Sequence, residues 1–501
     1  MVWQGLLLAL SPTTLITIFV GVFLGIIVGI VPGVGAGVGL ALLLPIIFQA
    51  PPLIGLMLLL ALWAADGYGA SLTSILINVP GGPGAVATSF DGYPMAQQGK
   101  ASIAIGLSMA SSMVAGIIGT IVLMVASPPL AELAVKMGPA EYTVMAIFGL
   151  TIIGGLTAKD PLKGLIAAGF GLLISFMGYD LLTGFVRFSF GWQHLYDGID
   201  FGLAVIGVFA VGSLVDAAQE GGTISAFSKV QGSTWEGFKL AFKKYPMAMI
   251  RGSLVGAILG ILPGIGISIS SLVAYDVEKR VSKHPEMFGH GAPEGVIGPE
   301  AANNSVQPAN LIPVLTLGIP GGATSAVFLG ALIMYGLTPG LDLFRNQGNV
   351  VWGLFWGIII ASIAYVVVGM LFANFFAKVT LLPVEYLIPV TLVTCFVGAF
   401  SLNGKFPDMV LMVGMGVVGY LMLVLKYPVA PAVLGVVLGP MLERNYFRSL
   451  LISGGTHKIF FQGTIVWVLW ALTAFSIIYP YIVNRNEKKK GKIVTEEVIS
   501  G

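Results

Sequence analysis

Four short segments rich in proline and glycine interrupt apolar runs of this 501-residue chain. They form two pairs of similar sequence: Gly25–Gly35 pairs with Gly256–Gly266, and Ser74–Gly82 pairs with Leu315–Gly322. A helix that breaks and restarts points free N–H groups and its positive dipole end into the gap. We therefore expect these breaks to line a polar cavity whose N–H groups hold an anion and whose opposed carbonyl groups can coordinate Na⁺.

Small polar residues flank the breaks, and their hydroxyl and amide groups can donate to carboxylate oxygens or complete an ion shell. Some hydroxyl groups can instead bond to the backbone of their own helix, and a single break can be a mere kink. Four paired breaks favour a site. The candidate substrate-binding and ion-binding residues are Pro32, Gly33, Gly35, Tyr68, Ser71, Thr73, Asn78, Pro80, Gly81, Gly82, Pro263, Gly264, Gly266, Ser268, Asn303, Asn304, Gly318, Pro320, Gly321, Gly322, Thr324 and Ser325.

Amide and acidic residues near the breaks allow two interpretations each. Adjacent Asn303 and Asn304 either line the cavity or cap a helix start, and we expect Asn78 to present its amide to the same cavity. Asp66 and Asp91 either bind a cation or are solvated. The segments 80–82 and 320–322 are expected to meet across a pseudo-two-fold axis near the bilayer midplane.

Other residue patterns argue against an enzyme. The four histidines are scattered without metal-ligand spacing, and Cys395 lies in an apolar run as a buried hydrophobe would. No nucleotide-binding loop occurs, which argues against direct ATP drive. Glu141 and Glu385 lie at matched helix starts, where a carboxylate complements the helix dipole, and we predict a structural role for both. No catalytic residue or cofactor is predicted.

Composition indicates what carries these breaks. Hydrophobic residues make up 56% of the chain and charged residues 10%, against about 25% charged in soluble domains. Apolar runs long enough to cross a bilayer, or nearly so, lie around 12–31, 101–126, 141–157, 161–179, 199–218, 247–262, 350–377, 384–402, 406–425 and 463–483. Shorter apolar pieces, punctuated by Pro and Gly, include 53–65, 71–79 and 310–319. The sequence predicts an all-α polytopic membrane protein with about 10–13 spans, some discontinuous or re-entrant.

A third similarity, between Pro139–Tyr142 and Pro383–Tyr386, follows the other two in the same order and predicts two homologous halves. We predict a first membrane repeat at 1–218, a cytoplasmic linker at 219–246, a second repeat at 247–450, and an extra transmembrane helix with a basic cytoplasmic tail at 451–501. The segments 219–246, 276–300 and the tail from Asn484 are too polar for the membrane. Their Lys and Arg residues place them in the cytoplasm, whereas the uncharged N-terminus can lie outside. Opposite starting sides predict inverted-topology repeats.

The chain resembles the large membrane subunit of the tripartite tricarboxylate transporter family. The similarity runs from about residue 10 to 480 and rests on Gly25–Gly37, Asp66–Pro83, Asp91–Met95 and the long stretch from Lys283 through Pro299–Asn304 to Gly322. The resemblance implies a bacterial inner-membrane protein that works with a small membrane subunit and a periplasmic solute-binding protein. It also implies symport of carboxylates, tricarboxylates or dicarboxylates, with Na⁺ or H⁺.

Rival functions remain open at this stage. The chain could be a stand-alone permease for another small organic anion. An intramembrane enzyme would need an activated nucleophile or metal ligands at membrane depth, and the apolar runs contain no histidine. A non-transporting scaffold would leave the matched breaks unexplained.

Overall fold

The computed structural model describes residues 1–31, 35–134, 136–156, 161–180, 184–200, 203–204, 206–211, 233–262, 266–373, 375–376, 389, 392–393, 395–397, 399–400 and 405–478. The chain forms two compact units, Met1–Val135 with Asp200–Val424 and Lys136–Ile199 with Leu425–Gly501. The fold is all-α apart from one two-residue hairpin in the described part of the second unit. The predicted fold class is confirmed.

The first unit contains most of the described helices. They are α1 (Val2–Ala9), α2 (Pro12–Ile30), α3 (Gly35–Ile47), α4 (Pro52–Ile77), α5 (Val86–Gln97), α6 (Ala101–Ala134), α9 (Thr234–Lys244), α10 (Pro246–Ile261), α11 (Gly266–Val281), α12 (Pro293–Leu317), α13 (Ala323–Met334), α14 (Leu341–Asn346), α15 (Gly348–Leu371) and α16 (Phe406–Val424). Short 3₁₀ turns lie at Pro83–Ala85 and Pro285–Met287, and a π-helical turn lies at Ile206–Val211.

The second unit contains the remaining helices and the two short strands. They are α7 (Pro139–Leu156), α8 (Pro161–Ser175), β1 (Gly178–Tyr179), β2 (Val186–Arg187), α17 (Val429–Ile452) and α18 (Thr464–Ile478), with 3₁₀ turns at Gln193–Leu195 and His457–Phe461. Helix α17 packs against α7 and α8. At the start of α7, Glu141 accepts the N–H of Gly138 at 2.9 Å, which confirms its structural role. Glu385 lies outside the described residues.

In the described part of the chain, five helices are long and apolar enough to cross a membrane, by length and composition. They are Pro12–Ile30, Pro52–Ile77, Ala101–Ala134, Gly348–Leu371 and Phe406–Val424. Shorter apolar helices of the described residues include α3, α10 and α13. The separate apolar pieces predicted at 53–65 and 71–79 are wrong as separate elements, because both belong to α4. The weakly polar residues between them do not interrupt the backbone hydrogen bonds of the helix.

The sequence of elements in the first part of unit one recurs in the second. A helix, a break, a short helix, a long helix, a second break and another short helix run from α2 to α5, and again from α10 to α13. Both long helices end on a residue in the left-handed conformation, Asn78 at φ 59° and Gly318 at φ 70°. Asn is the residue after Gly that best tolerates this conformation. The division into repeats and their inverted orientation stay predictions.

Glycine spaced every four residues brings both helix pairs into close contact. On α2, Gly21, Gly25 and Gly29 face α4, so that a side chain at Gly25 would collide with the backbone of Leu62. On α10, Gly252, Gly256 and Gly260 face α12 in the same way. Stripes of small residues are how membrane helices approach closely, since lipid supplies no hydrophobic drive for their association. These stripes fix the position of α4 and α12, which carry the site.

Candidate functional site

The breaks between paired helices lie where the sequence predicts them. Helix α2 ends at Ile30 and α3 begins at Gly35, and α10 ends at Ile261 before α11 begins at Gly266. Four predicted site residues at these breaks, and the side chain of a fifth, lie outside the described residues: Pro32, Gly33, Pro263, Gly264 and Ser268. The helix starts that follow the breaks are described, and they position the site.

Two junctions bring the helix starts together between the two parts of the unit. In the α3–α13 junction, a side chain added at Gly37 would lie 3.6 Å from Thr324 Oγ1. In the α5–α11 junction, a side chain added at Gly84, just before α5, would meet Asn303 Oδ1 and Ile267 Cγ2. Each junction therefore joins a helix start of one part to a helix start of the other. Two positive dipole ends in close approach favour an anionic group nearby.

Asp66 supplies such a group at the α3–α13 junction. Its carboxylate accepts a hydrogen bond from the backbone N–H of Ala36, in the first turn of α3. Its Oδ1 atom is buried and has no hydrogen-bond partner among the described residues. This junction therefore holds a carboxyl group from the protein itself, and the burial of Oδ1 argues against the solvated interpretation of Asp66.

Glu300 is the most unusual residue near the α5–α11 junction. It is fully buried on α12, one turn before Asn303 and Asn304, and it forms no salt bridge within the described residues. Its Oε1 accepts from Ser71 at 2.5 Å and from Thr88, and its Oε2 accepts from Ser108 at 3.1 Å and Ser112 at 3.2 Å. An ionisable residue at membrane depth is costly and marks a functional site by default.

The buried position of Glu300 contradicts part of the prediction that the segment 276–300 is too polar for the membrane. Glu300 was assigned to a polar cytoplasmic segment at 276–300, but α11 continues to Val281 and α12 begins at Pro293. The charged run therefore spans the end of one helix, a short loop and the buried start of another. Glu278 in the same run is also buried, at 1% exposure, and pairs with Arg251.

The two adjacent amides line the interior rather than cap a helix, because α12 begins ten residues before them at Pro293. Asn304 Nδ2 donates to Ser112 Oγ and to the Glu300 carbonyl, both at 2.9 Å. Asn303 is 3% exposed and its amide faces Gly67 and Gly84. The interpretation of these residues as cavity-lining is thus the one that the geometry supports.

A small cavity of about 10 Å³ adjoins the amides, and this volume holds about one water molecule. Three buried polar atoms that have no hydrogen-bond partner among the described residues belong to its lining residues: Trp63 Nε1, Asn304 Oδ1 and the Tyr365 hydroxyl. A buried water bonds to two to four polar groups, so these three atoms suit one. Tyr365 also stacks on Tyr68 with ring centroids 5.8 Å apart.

The remaining predicted residues divide between structural and site roles. Ser71 belongs to the Glu300 cluster, whereas Thr73 donates to Ala70 O of its own helix at 3.1 Å. Ser325 caps α13 by accepting the N–H of Gly322 at 2.9 Å. Asn78 is exposed and forms the left-handed end of α4, and the presentation of its amide to the polar cavity stays a prediction.

The second pair of breaks is held mainly by contacts within each part of the unit. Gly81 N donates to Ala70 O at 3.2 Å, and a side chain at Gly81 would collide with the backbone of Gly29. A side chain at Gly321 would meet the amide of Asn310. Pro80, Gly82, Gly318 and Pro320 lie in these same turns. The meeting of segments 80–82 and 320–322 stays a prediction.

Asp91 is buried and structural, so both sequence-based alternatives for it are wrong. Its Oδ1 accepts the backbone N–H groups of Gly289, Gly291 and Ala292, each at 2.8 Å, and its Oδ2 accepts from the Tyr275 hydroxyl at 2.9 Å. The carboxylate thereby fixes the loop that leads into α12. A side chain at Gly295 would collide with it, so the packing there is tight.

We expect Asp91→Ala to lower the free energy of unfolding by about 3 kcal/mol, because three backbone N–H groups and the Tyr275 hydroxyl lose their acceptor. Asp91→Asn keeps one carbonyl oxygen at the same place and should cost about 1 kcal/mol. Thermal unfolding of the purified protein in detergent measures both. Equal stability of Asp91→Ala and the unmodified protein would contradict this role.

Comparison with known proteins identifies related proteins and a family. The chain is 36% identical over 489 residues to a 52.8 kDa protein of the TAR-I ttuC′ 3′ region of Agrobacterium vitis, covering 98% of this chain and 97% of that protein. It is 34% identical over 242 residues to a protein of the TAR-II ttuC′ 3′ region of the same organism, covering 48% of this chain and all of the relative. No solved structure gives a significant match. Residues 15–434 match the family model described as the tripartite tricarboxylate transporter TctA family, and the chain belongs to that family.

Proposed function

We propose that this chain is the large translocating subunit of a tripartite importer that couples uptake of small carboxylates to a cation gradient. The observation that carries the proposal is the pair of junctions, at which helix starts from the two parts of the unit approach each other. Family membership supports a transporter rather than an enzyme. In the proposal, a small membrane subunit and a periplasmic solute-binding protein deliver the substrate in a bacterial inner membrane.

The α5–α11 junction suits the substrate better than the α3–α13 junction. Asp66 bonds directly to the backbone at the start of α3, whereas the side chain that meets Gly84, just before α5, is the neutral amide of Asn303, and Glu300 nearby is bonded by side-chain hydroxyl groups. Backbone N–H groups at the start of α11 would donate to a substrate carboxylate, and the Asn303 amide, whose Oδ1 faces Gly84, would turn to donate through Nδ2. Such a site holds an anion with dipoles and needs no buried Arg or Lys.

Gradient-driven uptake by the complete transporter tests the proposal. The chain and its two partner subunits are reconstituted in proteoliposomes, and radiolabelled citrate and succinate are offered with an inward Na⁺ gradient, an inward H⁺ gradient or neither. Accumulation of either substrate that needs both the binding protein and a gradient supports the proposal. Uptake without the partners would favour a stand-alone permease, and no uptake of any small anion would favour a scaffold.

Membrane topology gives a second prediction of the same proposal. The segments 219–246, 276–298 and 485–501, each of which contains several Lys or Arg residues, should face the cytoplasm. Of these, the part at Thr234–Lys244 forms α9, which ends in Lys243 and Lys244, and the tail lies outside the described residues. Cysteine placed at Lys243 or Lys489 should resist an impermeant thiol reagent in intact cells and react after the cells are opened. Labelling in intact cells would contradict the inverted arrangement.

A further inference from the structure

We infer that Glu300 is the site at which this transporter binds its coupling ion, and that the ion is a proton. The inference rests on the proposed transport function and names the ion and its residue. The carboxylate is fully buried, and four hydroxyl groups from three helices surround it: Ser71, Thr88, Ser108 and Ser112. No salt bridge neutralises it within the part of the chain that the structure describes.

The position of Ser71 allows Glu300 to be hydrogen-bonded whether its carboxyl group is ionised or protonated. Its hydroxyl lies 2.5 Å from Glu300 Oε1 and 2.9 Å from the carbonyl oxygen of Gly67, but a serine has one O–H proton. With Glu300 ionised, Ser71 donates to Oε1. With Glu300 protonated, the new Oε1–H donates to Ser71 Oγ and Ser71 donates to Gly67 O. In both states each of these groups is hydrogen-bonded, so a proton can bind and leave without an unpaired buried group.

The close packing of the cluster favours a proton over a metal ion at Glu300. The hydroxyl oxygens of Ser71, Ser108 and Ser112 lie 2.5 to 3.2 Å from the carboxylate oxygens, which is direct hydrogen-bond contact. A metal ion between these oxygens would have to push them apart. A proton needs no additional space.

The surroundings contain few other charges. The titratable groups that face α12 from the described elements around it include Tyr68 on α4, Asp91 on α5, Tyr245 between α9 and α10, Arg251 on α10, Tyr275 and Glu278 on α11, and Tyr365 on α15. Tyr68 and Tyr365 are the two whose electrostatic interaction is with Glu300 itself. Arg251 is paired with Glu278, and Asp91 accepts four hydrogen bonds. None of these groups therefore neutralises the Glu300 carboxylate, and protonation of Glu300 itself is what removes its charge.

Proximity to the α5–α11 junction supplies the coupling. Thr88, in the first turn of α5, bonds to Glu300, and Asn303 one turn along α12 faces Gly84. An anionic substrate at this junction would be repelled by an ionised Glu300 and accepted beside a neutral one. Hydronium on the outer side gives a proton to Oε1, and the same proton returns to water on the inner side after the substrate leaves. One proton thus moves with each substrate, and no redox step is involved.

Glu300→Gln tests the inference, because glutamine resembles the protonated acid and cannot release a proton. In proteoliposomes of the complete transporter, an inward H⁺ gradient should drive radiolabelled citrate accumulation at least 10-fold less in the variant. Exchange of internal for external citrate, which needs no net proton movement, should persist. Glu132→Gln, which changes an exposed carboxylate on α6, is the matched control and should accumulate citrate normally. Equal accumulation by Glu300→Gln and the unmodified protein, under either a H⁺ or a Na⁺ gradient, would overturn the inference.

A second measurement needs no transport and separates this inference from the proposed function. Infrared difference spectra of the purified protein in nanodiscs, recorded across a pH step, should contain the C=O stretch of a carboxylic acid that Glu300→Gln lacks. A spectrum that Glu300→Gln leaves unchanged would overturn the inference even if citrate is transported. If citrate is not transported, the same band still decides whether Glu300 binds a proton. Should Glu300→Gln fail to insert, Ser71→Ala must change the pH dependence of this band, and an unchanged dependence would overturn the inference.

Discussion

Replacing Arg251 by alanine is expected to lower the free energy of unfolding by about 3 kcal/mol. Arg251 donates to both oxygens of Glu278, from Nε at 3.0 Å and from Nη2 at 2.5 Å. Glu278 is 1% exposed, so the variant leaves a buried carboxylate without its cation. Removing one partner of a buried ion pair costs more than the pair itself contributes, because the remaining charge has lost its solvation.

Arg280→Ala is the matched control, because Arg280 lies on α11, the helix that also carries Glu278. Arg280 pairs with Asp276 at 2.6 Å, but the side chains are 76% and 56% exposed. Exposed pairs contribute about 0–1 kcal/mol, because water solvates either partner after the other is removed. Denaturant unfolding in detergent compares the two variants. An equal loss in both would mean that the burial of Glu278 has no energetic consequence, which would contradict the packing of α11 against α12.

Gly84→Ala is expected to reduce carboxylate uptake about 30-fold while leaving the protein inserted and folded. The added methyl group would meet Asn303 Oδ1 and Cγ and Ile267 Cγ2, so both side chains must turn away from this helix start. Displacement of the Asn303 amide removes one hydrogen bond to a charged substrate group, which costs about 2 kcal/mol, or about 30-fold in affinity. The effect should appear in the substrate concentration for half-maximal uptake more than in thermal stability.

Gly82→Ala in the same turn is its control. A side chain at Gly82 would make only ordinary contact, 3.5 Å from Ala70 Cβ, and the backbone there is extended at φ −150°. Uptake by Gly82→Ala should equal that of the unmodified protein. If both variants lose uptake equally, the turn as a whole is sensitive to substitution, and the α5–α11 junction has no special role.

Much of the architecture follows from sequence patterns that are local. Low charge and long apolar runs indicate membrane helices, and the paired Pro-Gly segments locate helix ends such as Ile30 and Ile261. Hydropathy is less useful where a helix contains polar residues that are buried by neighbours. Asp66 inside α4 and Glu300 inside α12 each resemble an interruption when the sequence is read in isolation.

The Glu300 cluster could not be assembled from sequence. Ser71, Thr88, Ser108 and Ser112 come from α4, α5 and α6, and they meet a carboxylate about 190 to 230 residues away. Serine and threonine in membrane helices usually bond to their own backbone, so their types alone carry little information. The available signal was a glutamate followed by two asparagines in a stretch that turns apolar, which an intramembrane interpretation would have singled out.

Asn78 and Asp91 have backbone roles that the sequence analysis missed. Asn78 forms the left-handed end of α4, and Asp91 fixes a loop through three N–H groups. The alignment with Gly318 was the clue for Asn78, since Asn and Gly share a tolerance for positive φ. No local pattern indicates that Asp91 meets a loop some 200 residues further along the chain.

The central claim is that a substrate carboxylate binds at the α5–α11 junction, and a structure of the complete transporter with bound substrate tests it most directly. Cryo-electron microscopy of the reconstituted complex with citrate should place ligand density within hydrogen-bond distance of the Asn303 amide and the N–H groups at the start of α11. The same density should be weakened in Gly84→Ala and retained in Gly82→Ala. Citrate density elsewhere, for example in the apolar cavity of about 570 Å³ beside Arg187 and Glu443 in the second unit, with none at the junction, would contradict the claim.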